Sequence, residues 1–413
     1  MAKIAILGFG TIGSGVYEVL RGNAGLIKQK AGQEISVKYV LDKRRLDDSA
    51  VRKLAVENFD VIAADNDVVV VVETMGGLEP AFTFARRALS AGKAFVTSNK
   101  ELVARHGQEL SALAAENSTN FFFEASAAGG IPVLRAISEA LTSDRLTGVT
   151  GVINGTTNYI LSKMAAEGNG FEDALQKAQE LGYAEANPSA DIDGYDTCRK
   201  LAILLSLTTG KLVNYEDIPT TGIKGISAPE MIYAKLLNCT VRLLAMAEIT
   251  GEGAIAQVAP AMIPGASQLS GVDGIYNAVI VRGDMLGDVM FYGPGAGKLS
   301  TATAVAADVI AAVRSRGICV SPRWSAEPLR LLPIDKQIVQ VFVRLKYTNR
   351  QNAVLAVLKV FGGVEVIESP LLPDEFAFVT RPEAYAELET KINMLMYNNG
   401  VSQIPSRILL KGI

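Results

Sequence analysis

The sequence predicts a mixed α/β protein of more than one domain, and three observations carry that prediction. Short, continuously apolar runs alternate with amphipathic stretches over residues 1–123. A glycine-rich turn separates the first of these runs from the first helical pattern. At 413 residues the chain is too long to fold around a single core.

The elements follow in order. Lys3 to Leu7 reads as a strand, Gly8-Phe9-Gly10-Thr11-Ile12-Gly13 as a tight turn, and Val16, Val19 and Leu20 as the apolar stripe of a helix. Val37 to Leu41, the valine run Val68 to Val72, Ala94 to Thr97 and Phe121 to Phe123 continue the strands, between helical stretches at 80–91 and 101–117. Strands apolar on both faces belong to a parallel sheet covered by helices on each side. Residues 1–130 thus predict a doubly wound, Rossmann-type dinucleotide domain. Its turn needs glycine so that backbone N–H groups at the helix start can approach a pyrophosphate. Gly8, Gly10, Thr11, Ile12 and Gly13 are the cofactor-binding candidates there.

Over 131–297 the pattern changes to an α+β domain, with helices at 171–181 and 229–248 and strand-like runs at 146–153 and 277–292. A second glycine turn, Gly293 to Gly297, feeds an Ala/Val-rich helix at 301–314, so 298–320 is expected to complete the first domain. After a Pro-containing linker, 321–333, the tail reads strand 339–346, helix 353–361, strand 364–369, strand 376–380, helix 383–398 and strand 407–411. That is a ferredoxin-like βαββαβ order over 334–413.

Charge and composition narrow the chemistry. A net charge of -3, with no basic run longer than Lys43-Arg44-Arg45, leaves no footprint for nucleic acid or an anionic membrane. A small molecule is the expected substrate. One histidine and three cysteines without metal-ligand spacing argue against a histidine-built zinc site and a Ser-His-Asp triad. Proton transfer must then use Lys, Asp, Glu or Tyr. The opening strand has no charged leader before it and no apolar stretch approaches membrane-spanning length, which predicts a cytoplasmic protein with reduced thiols. His106 reads as a helix-end residue and Cys198 as a small packed side chain.

Within the first domain, Asp42 ends the second strand, where a carboxylate binds the ribose hydroxyls of NAD. Lys43, Arg44 and Arg45 follow at once and suit a 2'-phosphate, so NADP is slightly favoured and NAD stays open. Glu73 to Gly77, with Thr74, and Ser98-Asn99-Lys100 follow later strands and so fall at the ligand crevice. Further along, Glu185, Asp191, Asp193, Asp196 and Lys200 crowd a Gly/Pro-broken segment that runs into apolar Leu201 to Leu205. Asp196 and Lys200 are four apart, on one helix face with the carboxylate on the favoured side. Burial and a second ammonium weaken a lysine's hold on its proton, whereas a neighbouring carboxylate strengthens it.

Over essentially its whole length the chain resembles a homoserine dehydrogenase. The similar segments are Gly8 to Gly13, Glu73 to Gly77, Val96 to Leu102, Phe123 to Ala125, Gly130 to Pro132, Asn154 to Leu161, Ala178 to Lys200 and Tyr292 to Gly297. The resemblance implies reversible hydride transfer between NAD(P)H and L-aspartate 4-semialdehyde, giving L-homoserine, on the route to threonine, methionine and isoleucine. It makes Lys200 the catalytic acid/base and Lys100 a second active-site lysine. It gives Glu185 and Asp196 the substrate amine, places Asp191 in the active site, and lines the cofactor with Gly182 and Gly297. Glu124, Ala127, Gly129 and Ile131 fall where the family binds a monovalent cation, usually sodium, largely through carbonyls.

The resemblance also implies a middle domain for substrate and dimerisation, and an ACT-like tail for an amino-acid effector or for oligomerisation. The turn Thr348 to Asn352 lacks the Pro-Gly usual in ACT ligand loops. A homodimer or homotetramer is expected and, with no kinase-like segment before residue 1, a monofunctional enzyme. Two other readings remain. One is a non-catalytic NAD(P)-binding sensor; the other, aspartate semialdehyde dehydrogenase, works through a cysteine thioester for which no cysteine here has a nucleophile's setting.

Overall fold

The computed structural model describes residues 1–412, which divide into two compact units. The first holds residues 1–147, 199–216 and 279–329, and the second 148–198, 217–278 and the chain from 330 onward. Among the described residues no helix is long and apolar enough to cross a membrane.

The first unit is built on six parallel strands, β1 (Ala2–Leu7), β2 (Ile35–Leu41), β3 (Ala55–Val56), β4 (Val68–Glu73), β5 (Ala94–Thr97) and β6 (Phe121–Phe122), in the order β3-β2-β1-β4-β5-β6. The winding reverses between β1 and β4, and at such a switch point the carboxyl ends of the strands open a ligand crevice. The valines of β4 are almost all buried because helices cover both faces. Part of that cover is the helix Lys298–Arg314. Its Ala302, Val305, Val309 and Val313 share one core with Ile4, Ile6, Val16, Leu20, Val70 and Val72. Small side chains let this helix lie close to the helix Thr11–Gly22: a Cβ on Gly15 would stand 2.8 Å from the Lys298 carbonyl oxygen. Asn120 fastens the chain beyond, donating to the Ile318 carbonyl and accepting from the amides of Val320 and Ser321.

A separate mixed sheet forms the second unit, and its strands are drawn from distant parts of the chain. After β7 (Leu146–Val152) come the long antiparallel partners β8 (Cys239–Thr250) and β9 (Gly253–Pro264). The helix expected over 229–248 is therefore two elements, the helix Ala228–Leu236 and then β8. Asn238, at φ 51, turns the chain out of the helix. Val241, Leu243, Ala245 and Ala247 line one face of this strand and Leu244 and Met246 the other, all buried, and a run buried on both faces is not separated from a buried helix by periodicity alone. The run at 277–292, which from residue 279 belongs to the first unit, is likewise two strands, β10 (Tyr276–Gly283) and β11 (Gly287–Pro294), neighbours around a short turn.

The tail contributes β12 (Ile338–Tyr347), the helix Arg350–Phe361, β13 (Val366–Ile367), β14 (Glu375–Val379), β15 (Glu383–Ala384), the helix Tyr385–Leu395 and β16 (Val401–Leu410). The order from β7 onward is β7-β8-β9-β16-β12-β14-β13, so the tail strands continue the sheet. The joint is the parallel pair β16 and β9, with Leu409 opposite Ala261 and Leu410 opposite Met262.

A buried ion pair makes a second joint, between the tail and the helix Ala228–Leu236. Arg344 on β12 places Nε 2.7 Å from Glu230 Oε1 and Nη1 3.3 Å from Glu375 Oε2, with all three side chains buried. Glu230 in turn accepts from the Ser227 amide, which closes the first turn of the helix Ala228–Leu236. Replacing Arg344 with Met would leave two buried carboxylates without their cation. The expected loss is about 3–5 kcal/mol of stability, read as a fall in the denaturant midpoint; a midpoint within error of the parent would refute this account of the joint.

Candidate active site

The glycine turn after β1 is shaped to take an anion. Gly8 sits at φ 84, and a Cβ on Gly13 would stand 2.0 Å from the Gly8 carbonyl oxygen, so the helix Thr11–Gly22 starts hard against the turn. No side chain caps this helix at Gly10, which leaves its first N–H groups to a ligand. Thr74 Oγ1 donates to the Gly8 carbonyl over 2.7 Å and ties the turn to the end of β4. Beside the turn lies a cavity of about 810 Å³, bordered by Gly10, Thr11, Asp42, Arg44, Phe59 and Phe84 among others. Those dimensions and donors fit a dinucleotide.

At the cavity's rim, the two competing ribose signals are bonded to each other. Arg44 donates Nε to Asp42 Oδ1 at 3.0 Å and Nη2 to Oδ2 at 2.8 Å. The amides of Arg44 and Phe9 donate to the same carboxylate. The Arg44 guanidinium beside Asp42 holds its carboxyl well below the usual range, against the opposing effect of partial burial. Lys43 is exposed at the rim.

At the ends of β4 and β5 lies a buried network. Glu73 accepts from the amides of Met75 and Gly76, at 2.6 and 3.0 Å, and from Thr97 Oγ1 at 2.6 Å. Thr97 Oγ1 accepts in turn from the Asn99 amide, while Asn99 donates to the Gly77 carbonyl. Asn99 also caps the helix Lys100–Glu116 through the Leu102 amide, which sets Lys100 as its first residue, half-buried. Burial pushes the Glu73 carboxyl up, and its three hydrogen bonds only partly oppose that. Ser98 lies within this turn.

The acidic block is gathered by one side chain. Asn154 Nδ2 donates to Asp191 Oδ1 at 2.7 Å and to Asp196 Oδ2 at 2.8 Å. Asp196 and Lys200 stand one turn apart on the helix Tyr195–Thr209, 1% and 9% exposed. Glu185 is exposed in the loop before Pro188, where its carbonyl accepts from Gln179. Gly182 at φ 73 and Gly297 at φ 124 are both exposed turn residues.

Glu124 is buried and bonded as a helix cap, accepting from the amides of Leu134 and Arg135 at 2.8 Å each. Its own amide donates to Asp308, which pairs with Arg135 Nη2 at 2.6 Å. Burial, with the Glu124 charge beside it, pushes Asp308 up to about 7. Ala127 and Ile131 are buried, and Gly129 turns at φ 60 with no room for a Cβ beside the Gly295 carbonyl. Among the described residues no group of three or more His, Cys, Asp or Glu side chains could hold a metal ion.

His106 lies in the middle of the helix Lys100–Glu116 rather than at a helix end, stacked on Phe82 at 3.8 Å between ring centroids. Cys198 is buried, as expected of a packed side chain. Sequence reasoning missed the work of Thr97, Asn99 and the Asn154 side chain. The one available signal was an Asn immediately before each of two helices.

A parallel sheet with a glycine turn at its switch point and no side-chain cap on the helix that follows defines a dinucleotide-binding protein. Two family models match the chain, homoserine dehydrogenase over residues 132–310 and homoserine dehydrogenase NAD binding domain over 8–124. The homoserine dehydrogenase of Bacillus subtilis is 41% identical over 323 residues, 77% of this chain and 74% of its own length. The crystal structure of a homoserine dehydrogenase from Thiobacillus denitrificans is similar at a TM-score of 0.92 and 33% identity, over 100% of this chain and 98% of that one. A hyperthermophilic archaeal homoserine dehydrogenase solved in complex with NADPH is similar at 0.65 and 28% identity, over 75% of this chain and 97% of that one. The chain belongs to the homoserine dehydrogenase family. It is an NAD(P)-dependent oxidoreductase that interconverts L-aspartate 4-semialdehyde and L-homoserine.

Glu73 supplies a test of the network behind the cofactor turn. Folding raises its pKa, so the stability it lends is full below the unfolded carboxyl's range and is lost as pH rises. Glu73→Gln removes that titration and turns an amide N–H toward Thr97 Oγ1, which already accepts from the Asn99 amide. It is expected to lower stability by about 1–3 kcal/mol, with the gap to the parent widest in acid and narrowing toward alkaline pH. Thermal midpoints for both proteins across pH 4–9 measure this; parallel curves would contradict it.

Proposed function

We propose that Lys200 is the general acid and base of this reaction, and the observation that carries the proposal is its burial one helical turn after the buried carboxylate of Asp196. When bound, the nicotinamide supplies hydride to the aldehyde carbon in reduction and takes it back in oxidation. Lys200 gives a proton to the substrate oxygen as the aldehyde becomes an alcohol, and removes it in the reverse direction. Its ammonium also stabilises the oxygen's developing negative charge. By resemblance Glu185 and Asp196 receive the substrate's α-ammonium, and Asp191, tied to Asp196 through Asn154, joins them. Lys100 is the second active-site lysine and a donor for the α-carboxylate.

NADP is the preferred cofactor in this reading. The Asp42 carboxylate already carries Arg44 and the Phe9 amide, so ribose hydroxyls would have to displace them. Lys43 and Arg44, both exposed at the rim, suit a 2'-phosphate. Gly8, Gly10, Thr11, Ile12, Gly13, Thr74, Ser98, Gly182 and Gly297 are the remaining cofactor contacts by motif and resemblance. A sodium ion at Glu124, Ala127, Gly129 and Ile131 would rest on carbonyl oxygens, which suit a hard cation. The tail is read as an ACT-like module for an amino-acid effector or for oligomerisation, in a cytoplasmic homodimer or homotetramer of aspartate-family amino-acid biosynthesis.

Replacing Lys200 with Ala is expected to lower kcat about 10²–10⁴-fold while NADPH still binds, followed by titrating the cofactor's fluorescence. Turnover near the parent's would end the assignment. In the same assay, loss of absorbance at the reduced-nicotinamide band on adding L-aspartate 4-semialdehyde should be faster with NADPH than with NADH. Replacing Arg44 with Ala should shrink that ratio about tenfold or more, the worth of one hydrogen bond to a charged group; an unchanged ratio would remove Arg44 from cofactor choice. Repeating the parent assay without sodium and with threonine added tests the ion and the effector, and unaltered rates would remove both.

A further inference from the structure

We infer that Asn154 is the positioning residue that sets the two carboxylates receiving the substrate's ammonium group, an inference that rests on the roles proposed above for Asp191 and Asp196. The side chain is 4% exposed and both of its amide protons are used, one on each carboxylate. Its orientation is dictated by chemistry. Asn154 Oδ1 accepts from the Thr157 amide at 2.8 Å and from Thr157 Oγ1 at 3.0 Å, so oxygen faces those donors and nitrogen faces the carboxylates, which only accept. The Thr157 amide belongs to the first turn of the helix Gly155–Glu167, which Asn154 caps. The backbone there is held as well: a Cβ on Gly155 would stand 3.0 Å from the Ile275 carbonyl oxygen.

The residue type has a physical reason. The two N–H bonds of a planar amide diverge by about 120°, which holds the two acceptor oxygens roughly 5 Å apart. An arginine or lysine here would hold the same oxygens but cancel the charge that an incoming ammonium needs. A neutral double donor brings two carboxylates together without adding a positive charge of its own.

Asn154→Asp keeps an acceptor for the helix cap but has no donor at neutral pH. Its KM for L-homoserine is expected to rise about tenfold or more, the worth of a hydrogen bond to a charged group, with KM for NADP⁺ within about twofold of the parent's. As pH falls, the introduced carboxyl gains one O–H donor and the defect should shrink relative to the parent. Asn154→Ser, which keeps the cap without adding charge and donates to one carboxylate at most, should give a smaller rise in the same KM. Parental KM for homoserine in folded Asn154→Ser or Asn154→Asp would overturn the inference. Asp191→Asn and Asp196→Asn, measured alongside, separate the two readings. If they raise the homoserine KM and the Asn154 variants do not, only the positioning role fails. If they too leave it unchanged, the proposed substrate site fails with it.

Discussion

A carboxylate taken out of water has to be given donors, and this chain meets that constraint at several places around its site. Glu73 is met by the amides of Met75 and Gly76, Asp42 by the Phe9 amide and Arg44, and Glu124 by the amides of Leu134 and Arg135. Asp191 and Asp196 are met by the side chain of Asn154. Most of these donors lie in turns or helix starts that follow a strand. Satisfying the charge therefore also fixes the path of the backbone that lines the site.

The compensation differs with location. Within the second sheet, Arg344 brings a full positive charge to Glu230 and Glu375, and the cluster joins the tail to its neighbouring elements. Asn154 brings no charge to Asp191 and Asp196, which suits groups that are to meet a cation from outside. Arg44 stands between these cases. It holds Asp42 through two hydrogen bonds yet is itself exposed at the rim of the cavity.

Close approach of backbones is the second recurring device. Gly13 lets the helix after β1 begin against the turn, Gly15 admits the helix Lys298–Arg314, and Gly129 admits the Gly295 carbonyl. Gly13 meets its own turn, whereas Gly15 and Gly129 meet backbone 283 and 166 residues further along the chain. The alanines of the helix Lys298–Arg314 serve the same end, allowing that late segment into the core of a sheet begun at residue 2.

By itself the sequence determined the parallel sheet, its glycine turn and the family, because these rest on local patterns: apolar runs in β1, β4 and β5, glycines at fixed offsets, and motifs such as Asn154 to Leu161. It also placed Asp196 and Lys200 on one helical face, since a spacing of four needs nothing beyond the helix. Only the tertiary structure decided that 239–250 is a strand, because its buried pattern is shared by helix and strand until a partner such as β9 is present. Only it joined Asp42 to Arg44, brought Asn154 to carboxylates 37 and 42 residues away, and paired β16 with β9. The bonds of Asn154 and the β16–β9 pair join segments with no local signal, the first because carboxylates drawn out of water need donors and the second because a strand edge needs a partner.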